Sequence, residues 1–457
     1  MAKGFTFQRI SVLALVALLA ITLITLFKSA LELEDAEQAY YSQWLRWGYD
    51  DQPPLYTWLQ YGLHQLLGVH KLSLSIFRGF LFAATLLLLY AFAKRRSNQD
   101  NTATLAVLVL VFVPVYIDFT FRRLSHTSLL CLAIVGTYYI IQLLLQKKSP
   151  RNYMLLGLAI GIGLLSKYNY VLFLIPFFIV SLWDRPLRAI LWHRSIGITL
   201  LIVSLLVSPH LYWLLGPQEY QMFLKYSLQS KMESEAFENG FSLMPLWAYL
   251  KGLSGLFGPL FMLVLLGGLS RQIVVKCSRW SWFQKLCMVQ LAFLAGFFLL
   301  FQSKQIETRW LLPLFIPFSV LFMETVQCKH PKRMVSIGFG LFYGIVFLQG
   351  MRTPIEQFLE IPSSVHFSFQ PIETKLQEKY SDYQWIIPNV TYAGNVRILC
   401  PDRTIFSMDD YSLPMSHVMA KKGLSVVLDK ALYGDGIPVD SIIGFGREKE
   451  NLYFYTH

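Results

Sequence analysis

Charge is scarce in this chain, and the scarcity sets its class. Only 15% of its 457 residues are Asp, Glu, Lys or Arg, 54% are hydrophobic, and a mean hydropathy of +0.45 excludes an ordinary soluble globular protein. Cysteine is equally sparse. Of five, Cys131 and Cys287 fall in apolar runs, Cys277 and Cys328 in basic connections, and Cys400 stands apart, so no disulfide framework is expected. No Cys/His spacing suits zinc. A Gly-rich phosphate loop, an internal repeat and a low-complexity tract are also missing. Residues 9–29 are apolar enough for a signal peptide, but no small-residue cleavage site follows, and they are expected to remain as a first span.

What the chain has instead is apolar length. A membrane-crossing helix needs roughly 20 mostly apolar residues, and about eleven runs approach that size. They are 9–29, 73–93, 102–118, 127–146, 152–166, 169–184, 195–215, 245–268, 283–302, 309–326 and 334–350. The net charge of +12 comes largely from cations between them: Lys3/Arg9, Lys94-Arg95-Arg96, Lys147-Lys148/Arg151, Arg185/Arg188/Arg194, Arg271/Lys276/Arg279 and Lys329/Lys332/Arg333. These recur at every second connection, which is the positive-inside pattern rather than a nucleic-acid surface. The N-terminus is therefore expected in the cytoplasm, with the alternate connections and the C-terminus on the outer side of an inner membrane. From Met351 onward short apolar runs alternate with polar segments (Trp385-Ile386-Ile387, Val396 to Leu399, Ser425 to Leu428, Ile442-Ile443). The expected architecture is thus mainly α and polytopic over 1–350, with a small outward α/β domain over 351–457.

The stretch from Leu31 to Leu67 carries the chemistry. It holds Glu32, Glu34, Asp35, Glu37, Asp50 and Asp51 among Trp and Tyr residues. Helical spacing over 36–47, and again from Leu55 to Leu67 after Pro53-Pro54, predicts two short amphipathic helices lying flat at the membrane surface. Asp50 and Asp51 suit the turn between them. An enzyme joining a lipid-borne phosphate donor to an acceptor hydroxyl needs a carboxylate base, cations around the leaving phosphate and a groove open to the bilayer. Glu34, Asp35 and Glu37 are the candidate bases. Lys167, Arg309, Arg122, Arg123 and Lys304, all in short outward connections, are candidate phosphate clamps. His126 and Tyr168 lie beside them as acceptor or loop contacts, and the polar connection Gly216 to Met244 is expected to be a flap over the site.

Four segments carry a family resemblance: the first-loop acids, Trp47-Gly48-Tyr49-Asp50-Asp51-Gln52-Pro53-Pro54-Leu55, Leu164-Leu165-Ser166-Lys167-Tyr168, and Glu307-Thr308-Arg309-Trp310-Leu311-Leu312-Pro313. In combination they resemble the GT-C membrane glycosyltransferases, in particular the bacterial relatives of the protein O-mannosyltransferases and of the aminoarabinose transferase that modifies lipid A. The resemblance implies inverting transfer of one sugar from a polyprenyl-phosphate donor to an envelope lipid, polysaccharide or protein, with a first-loop acid as base. The family pattern is Asp then Glu, whereas here Glu34 precedes Asp35 and Glu37 follows. Many relatives also carry an acid where this chain has His126. Asp35 is the expected base, with Glu34 and Glu37 behind it.

Plainer readings stand beside these. Outward acids commonly do no more than solvate a loop, Lys167 suits a snorkelling lysine, and His126 suits a hydrogen-bonded interfacial side chain. Asn389-Val390-Thr391 matches a glycosylation acceptor by a pattern short enough to occur by chance. Carboxylates near a phosphate can hold a divalent ion, although no spacing here demands one. The alternative functions are a lipid-linked sugar flippase or other transporter, an oligosaccharide ligase, and a structural envelope protein. Transporters place ionisable residues near the bilayer midplane, whereas Arg78, Asp118, Lys251 and Glu324 fall toward span ends.

Overall fold

The computed structural model describes residues 2–50, 52–216, 242–269, 273–275, 280–303, 306–361, 363–413, 423–428, 437–446 and 449–456. The expected flap falls mostly on 217–241, and Lys304 also lies outside the described residues. Among those described, seven helices are long and apolar enough to cross a membrane, or up to nine if each of two bent pairs is one span. They share one apolar core. The seven are α1 (Ala2–Leu26), α4 (Lys71–Ser97), α7 (His126–Gln146), α11 (Ile196–Leu214), α12 (Met244–Leu269), α13 (Trp282–Leu300) and α16 (Pro331–Phe358).

The other four expected spans fall on shorter or broken helices. Residues 102–118 are not one straight span. α5 (Asp100–Leu108) tightens into a 3-10 turn, and the chain then bends by 75° into α6 (Pro114–Arg122). Pro114 supplies the reason, because it has no N–H for the preceding helix and its fixed φ suits a new first turn. A 110° bend likewise separates the run ending at α9 (Val171–Trp183) from α10 (Arg185–Leu191), where the Asp184 side chain accepts from the Leu187 N–H at 3.2 Å. α8 (Pro150–Ser166) is a 17-residue helix, and residues 309–326 divide into α14 (Thr308–Phe315) and α15 (Phe318–Thr325) around Pro317. At the end of the bundle away from the first-loop acids, β1 (Ile273–Val275) pairs antiparallel with β2 (Val326–Cys328).

The first loop departs most from expectation. The first amphipathic helix is shifted and shorter: α2 (Leu33–Tyr41) has only Leu33 well exposed and Glu37 half-buried. It does not lie open on a surface but is enclosed between the bundle and the C-terminal unit. α3 (Leu55–Leu67) keeps the expected apolar stripe outward, with Leu59, Leu66 and Leu67 exposed, while its polar side chains Thr57, Gln60 and His64 are buried. That inversion of the soluble-protein pattern is what a helix facing lipid requires. Between them Asp50 adopts a left-handed conformation (φ 39°), and Tyr49 bridges Gln52, which makes the expected turn.

α16 continues past residue 350 to Phe358. Beyond it, α17 (Gln370–Tyr380) and α18 (Val390–Leu399) accompany a mixed sheet of β3 (Gln384–Ile387), β4 (Ile405–Ser407), β5 (Gly423–Val427), β6 (Asp440–Phe445) and β7 (Glu450–Thr456) in the order β4-β3-β5-β7-β6. β3 runs parallel to β4 and β5, and β7 antiparallel to β5 and β6. Of the four apolar runs, Val396 to Leu399 is helical rather than extended. It belongs to the β3-to-β4 crossover, which Asn389 caps by accepting from the Tyr392 N–H at 2.9 Å. Trp385 and Phe454 anchor a second core shared with Tyr40 and Tyr41 of α2.

Gly163 marks a tight contact between α8 and the turn that follows it. A Cβ there would lie 2.5 Å from the Tyr170 ring, whose hydroxyl meets Thr137 Oγ1 at 2.7 Å. Gly163→Ala should destabilise the protein by about 1–3 kcal/mol through overpacking. A lower thermal midpoint in detergent checks this, and an unchanged midpoint would contradict it.

Candidate active site

Successive residues of an α-helix point about 100° apart, so carboxylates at the start of α2 diverge. Each meets cations from a different element. Asp35 Oδ1 pairs with Arg78 Nη1 from the second turn of α4. Arg78 is completely buried, and its Nη2 donates to Thr25 Oγ1 at 2.7 Å. Glu32, at the N-terminal boundary of α2, accepts from Arg122 Nε at 2.9 Å and forms ion pairs with Arg122 Nη2 at 2.8 Å, Arg123 at 3.8 Å and Lys28 at 4.0 Å. Glu34 accepts at Oε2 from the Ser125 N–H and hydroxyl at 2.8 and 3.0 Å, and at Oε1 from Arg309 Nη1 at 3.2 Å.

One tripeptide gathers these parts. Ser125 holds Glu34. The next residue, His126, donates from Nδ1 to the Ser166 carbonyl at 3.2 Å and accepts at Nε2 from the Gln38 amide at 3.0 Å, while Gln38 Oε1 accepts from the Thr57 hydroxyl at 3.0 Å. This pattern selects the neutral Nδ1–H tautomer. Thr127 Oγ1 then accepts from Lys167 Nζ at 3.0 Å. Ser125-His126-Thr127 thereby fixes one carboxylate and one ammonium on either side of a buried, uncharged imidazole.

The electrostatics follow from burial. Burial draws the Lys167 ammonium below the ordinary lysine range, and Arg309 adds to this while Glu34 and Glu37 oppose it. It raises the Glu32 carboxyl, but Lys28 and Arg122 outweigh it and hold the group low. Lys28 is drawn down to about 8 by burial against the pull of Glu32, and its ammonium donates to the Arg122 carbonyl at 2.8 Å.

The expected clamps therefore form two groups. Lys167 and Arg309 flank Glu34, whereas Arg122 and Arg123 serve Glu32, with Arg122 also 3.8 Å from Asp118. Tyr168 turns away from this cluster. Its hydroxyl meets His210 Nε2 at 3.1 Å, and His210 Nδ1 donates to the Trp47 carbonyl at 2.8 Å. Lys28, Glu32, Gln38, Ser125, Thr127 and His210 also contact these side chains but are not among the expected bases, clamps or contacts, and Arg78, expected as a span-end charge, is buried against Asp35. An arginine within an apolar run is itself a signal of a buried partner, and that signal was present. Among the described residues no group of three His, Cys, Asp or Glu converges as a metal site.

A helical membrane bundle with an α/β unit packed over one end is an ArnT-like fold of the GT-C type, and this chain has it. The chain is similar over 99% of its length to the solved ArnT of Cupriavidus metallidurans bound to undecaprenyl phosphate, with a TM-score of 0.65, 12% identity and 98% of that chain covered. Its likeness to the apo form has a TM-score of 0.63 at 12% identity, covering 97% of each chain. The family model described as dolichyl-phosphate-mannose-protein mannosyltransferase matches residues 51–213. Two relatives from Rhizobium johnstonii, the lipopolysaccharide core galacturonosyltransferases RgtB and RgtA, are 29% identical over 69% of this chain and 30% identical over 65% of it. The matched stretches span 66% and 60% of those relatives, just under two thirds of their lengths.

Two outcomes test this geometry. Removing one partner of a buried ion pair costs roughly 3–5 kcal/mol because it strands the other charge. Arg78→Met should therefore destabilise strongly, and adding Asp35→Asn should restore most of the thermal midpoint; a double variant no better than R78M would refute the pairing. Lys28 is charged in folded and unfolded chains below about 8, so its burial costs stability there. As pH rises from about 8 toward the unfolded value of 10.5 the folded protein binds fewer protons than the unfolded chain, and stability increases. The wild-type midpoint should thus gain on that of Lys28→Met between pH of about 7 and about 10, and parallel curves would exclude this assignment.

Proposed function

We propose that this protein is an inverting glycosyltransferase that moves one sugar from a polyprenyl-phosphate donor to the lipopolysaccharide core on the outer face of the inner membrane. The carrying observation is Glu34, held between Ser125 and Arg309 with Lys167 anchored beside it on Thr127. Asp35 is a weaker base candidate than the sequence suggests, because a fully buried arginine already pairs with it. The galacturonosyltransferase relatives favour a uronic acid as the sugar and the core as acceptor. The alternation of cations along the sequence supports a cytoplasmic N-terminus and an outward acid end.

Arg309 and Lys167 hold the donor phosphate at the position where Arg309 now meets Glu34. Phosphate binding draws the guanidinium off Glu34 Oε1 and frees that oxygen for an acceptor hydroxyl. The acceptor oxygen attacks the anomeric carbon as its proton passes to Glu34, and the bond from that carbon to the phosphate oxygen breaks. The electron pair leaves with the polyprenyl phosphate, whose charge the two cations stabilise. His126 stays neutral throughout and keeps base and clamp in register.

Glu34→Gln preserves the shape and most hydrogen bonds but removes the base. In a strain lacking the gene, wild-type protein should restore one sugar to the core, detected by mass spectrometry. E34Q at matched abundance should transfer roughly 10²–10⁴-fold less. Transfer by E34Q near the wild-type rate would remove Glu34 from the mechanism.

A further inference from the structure

The acid helix is gripped from the side opposite the bundle, and the grip comes wholly from the C-terminal unit. Asn395 on α18 is nearly buried, and its side-chain amide pairs with both backbone groups of Leu31, immediately before the cap of α2. Its Oδ1 accepts from the Leu31 N–H at 2.7 Å, and its Nδ2 donates to the Leu31 carbonyl at 3.2 Å and to the Thr391 carbonyl at 2.9 Å. One residue earlier, a Cβ on Gly394 would lie 1.9 Å from the Ala36 carbonyl oxygen. Backbone therefore meets backbone there, with no side chain to take up slack.

The far end is held as firmly. Tyr40 donates to Asp410 Oδ2 at 2.9 Å and accepts from the Ser407 N–H at 3.1 Å. Burial and Asp410 push that hydroxyl far above the usual tyrosine range, so it remains a donor. Gln43 donates to the Ile405 carbonyl at 3.1 Å and accepts from the Ile405 N–H at 2.9 Å, and Arg46 reaches Asp410 at 3.3 Å. A nine-residue helix is thus tied to the C-terminal unit at both ends, to α18 at its start and to β4 with the turn after it at its finish, while Glu34, Asp35 and Gln38 between them face the bundle.

We propose that the C-terminal α/β unit is a clasp that sets where Glu34 stands, with Asn395 as a positioning residue acting through Leu31. This rests on Glu34 being the base. The hydrogen bonds to Leu31 fix the height of α2 along its axis, and the Gly394–Ala36 contact fixes its depth. Release of either moves the carboxylate relative to Ser125 and Arg309 while leaving Lys167, which is anchored on Thr127, where it is. The expected defect is therefore in transfer and not in donor-phosphate binding.

The test uses the full-length protein. Asn395→Asp sets a carboxylate oxygen against the Leu31 carbonyl, and Gly394→Ala pushes on Ala36 without removing a hydrogen bond. Lys375→Ala breaks the pair with Asp440, 2.7 Å apart on the same unit but not on α2, and is the control. Undecaprenyl phosphate binding to purified protein and core modification in membranes are measured per folded molecule. N395D and G394A should keep the undecaprenyl phosphate Kd within about twofold and transfer at least about tenfold less, with K375A like wild type. Asn395→Ser, which only shortens the clasp, replaces either variant that fails to accumulate. Normal transfer by the clasp variants overturns the proposal, as does loss of binding in step with transfer, the mark of general unfolding. E34Q assayed alongside separates the two readings. If it is inactive while the clasp variants are normal, only the clasp falls; if it is active, base and clasp fall together.

Discussion

Three carboxylates within four residues cannot share a low-dielectric site unless each has its own counter-charge, because like charges at close range drive one another to protonate. The start of α2 meets this constraint by directing Glu32, Glu34 and Asp35 to Arg122, Arg309 and Arg78, which arrive on three different helices. The pairs are unequal. Arg78 is wholly enclosed and Arg309 retains a quarter of its side-chain exposure, so one pair acts as a bolt and the other remains exchangeable.

Order within that cluster comes from neutral groups. His126 has no need of charge to act as a spacer, since its two ring nitrogens join α2 to the residue preceding Lys167. A charged imidazole could not accept from Gln38. The buried polar face of α3 completes the arrangement through Thr57, and continues through the Gln60 amide, which meets His64 at 2.8 Å. The Thr57–Gln38–His126–Ser166 chain, in which both Gln38 amide atoms and both ring nitrogens are paired, holds geometry at little electrostatic cost.

The bundle was largely legible because apolar length is a strong signal, and each expected run falls on helix. The bends at Pro114 and Asp184 were less legible, since hydropathy averages over a break. α2 was misplaced for a physical reason: its amphipathic stripe is real, but Tyr40 and Tyr41 turn it toward another protein unit rather than toward lipid. Lys167 and Arg309 could be proposed from their place in short connections. The pairing that sets Asp35 apart from Glu34 could not be read from sequence, because its partner Arg78 lies more than forty residues away. Ser125 and Asn395 carry no signature at all, since a serine before a helix and an asparagine within one are commonplace.

Pro114 shows how much rests on a single missing N–H. Were α5 to run on without a break, its last nine residues would extend about 13 Å farther along one axis at 1.5 Å per residue, and Arg122, Arg123 and Ser125 would be carried off along that line. The 75° turn instead sends the segment sideways, so that Arg122 at its end meets Glu32. Membrane depth is thus traded for lateral reach, and a helix too short to be a span becomes the lintel beneath which the acidic helix is seated.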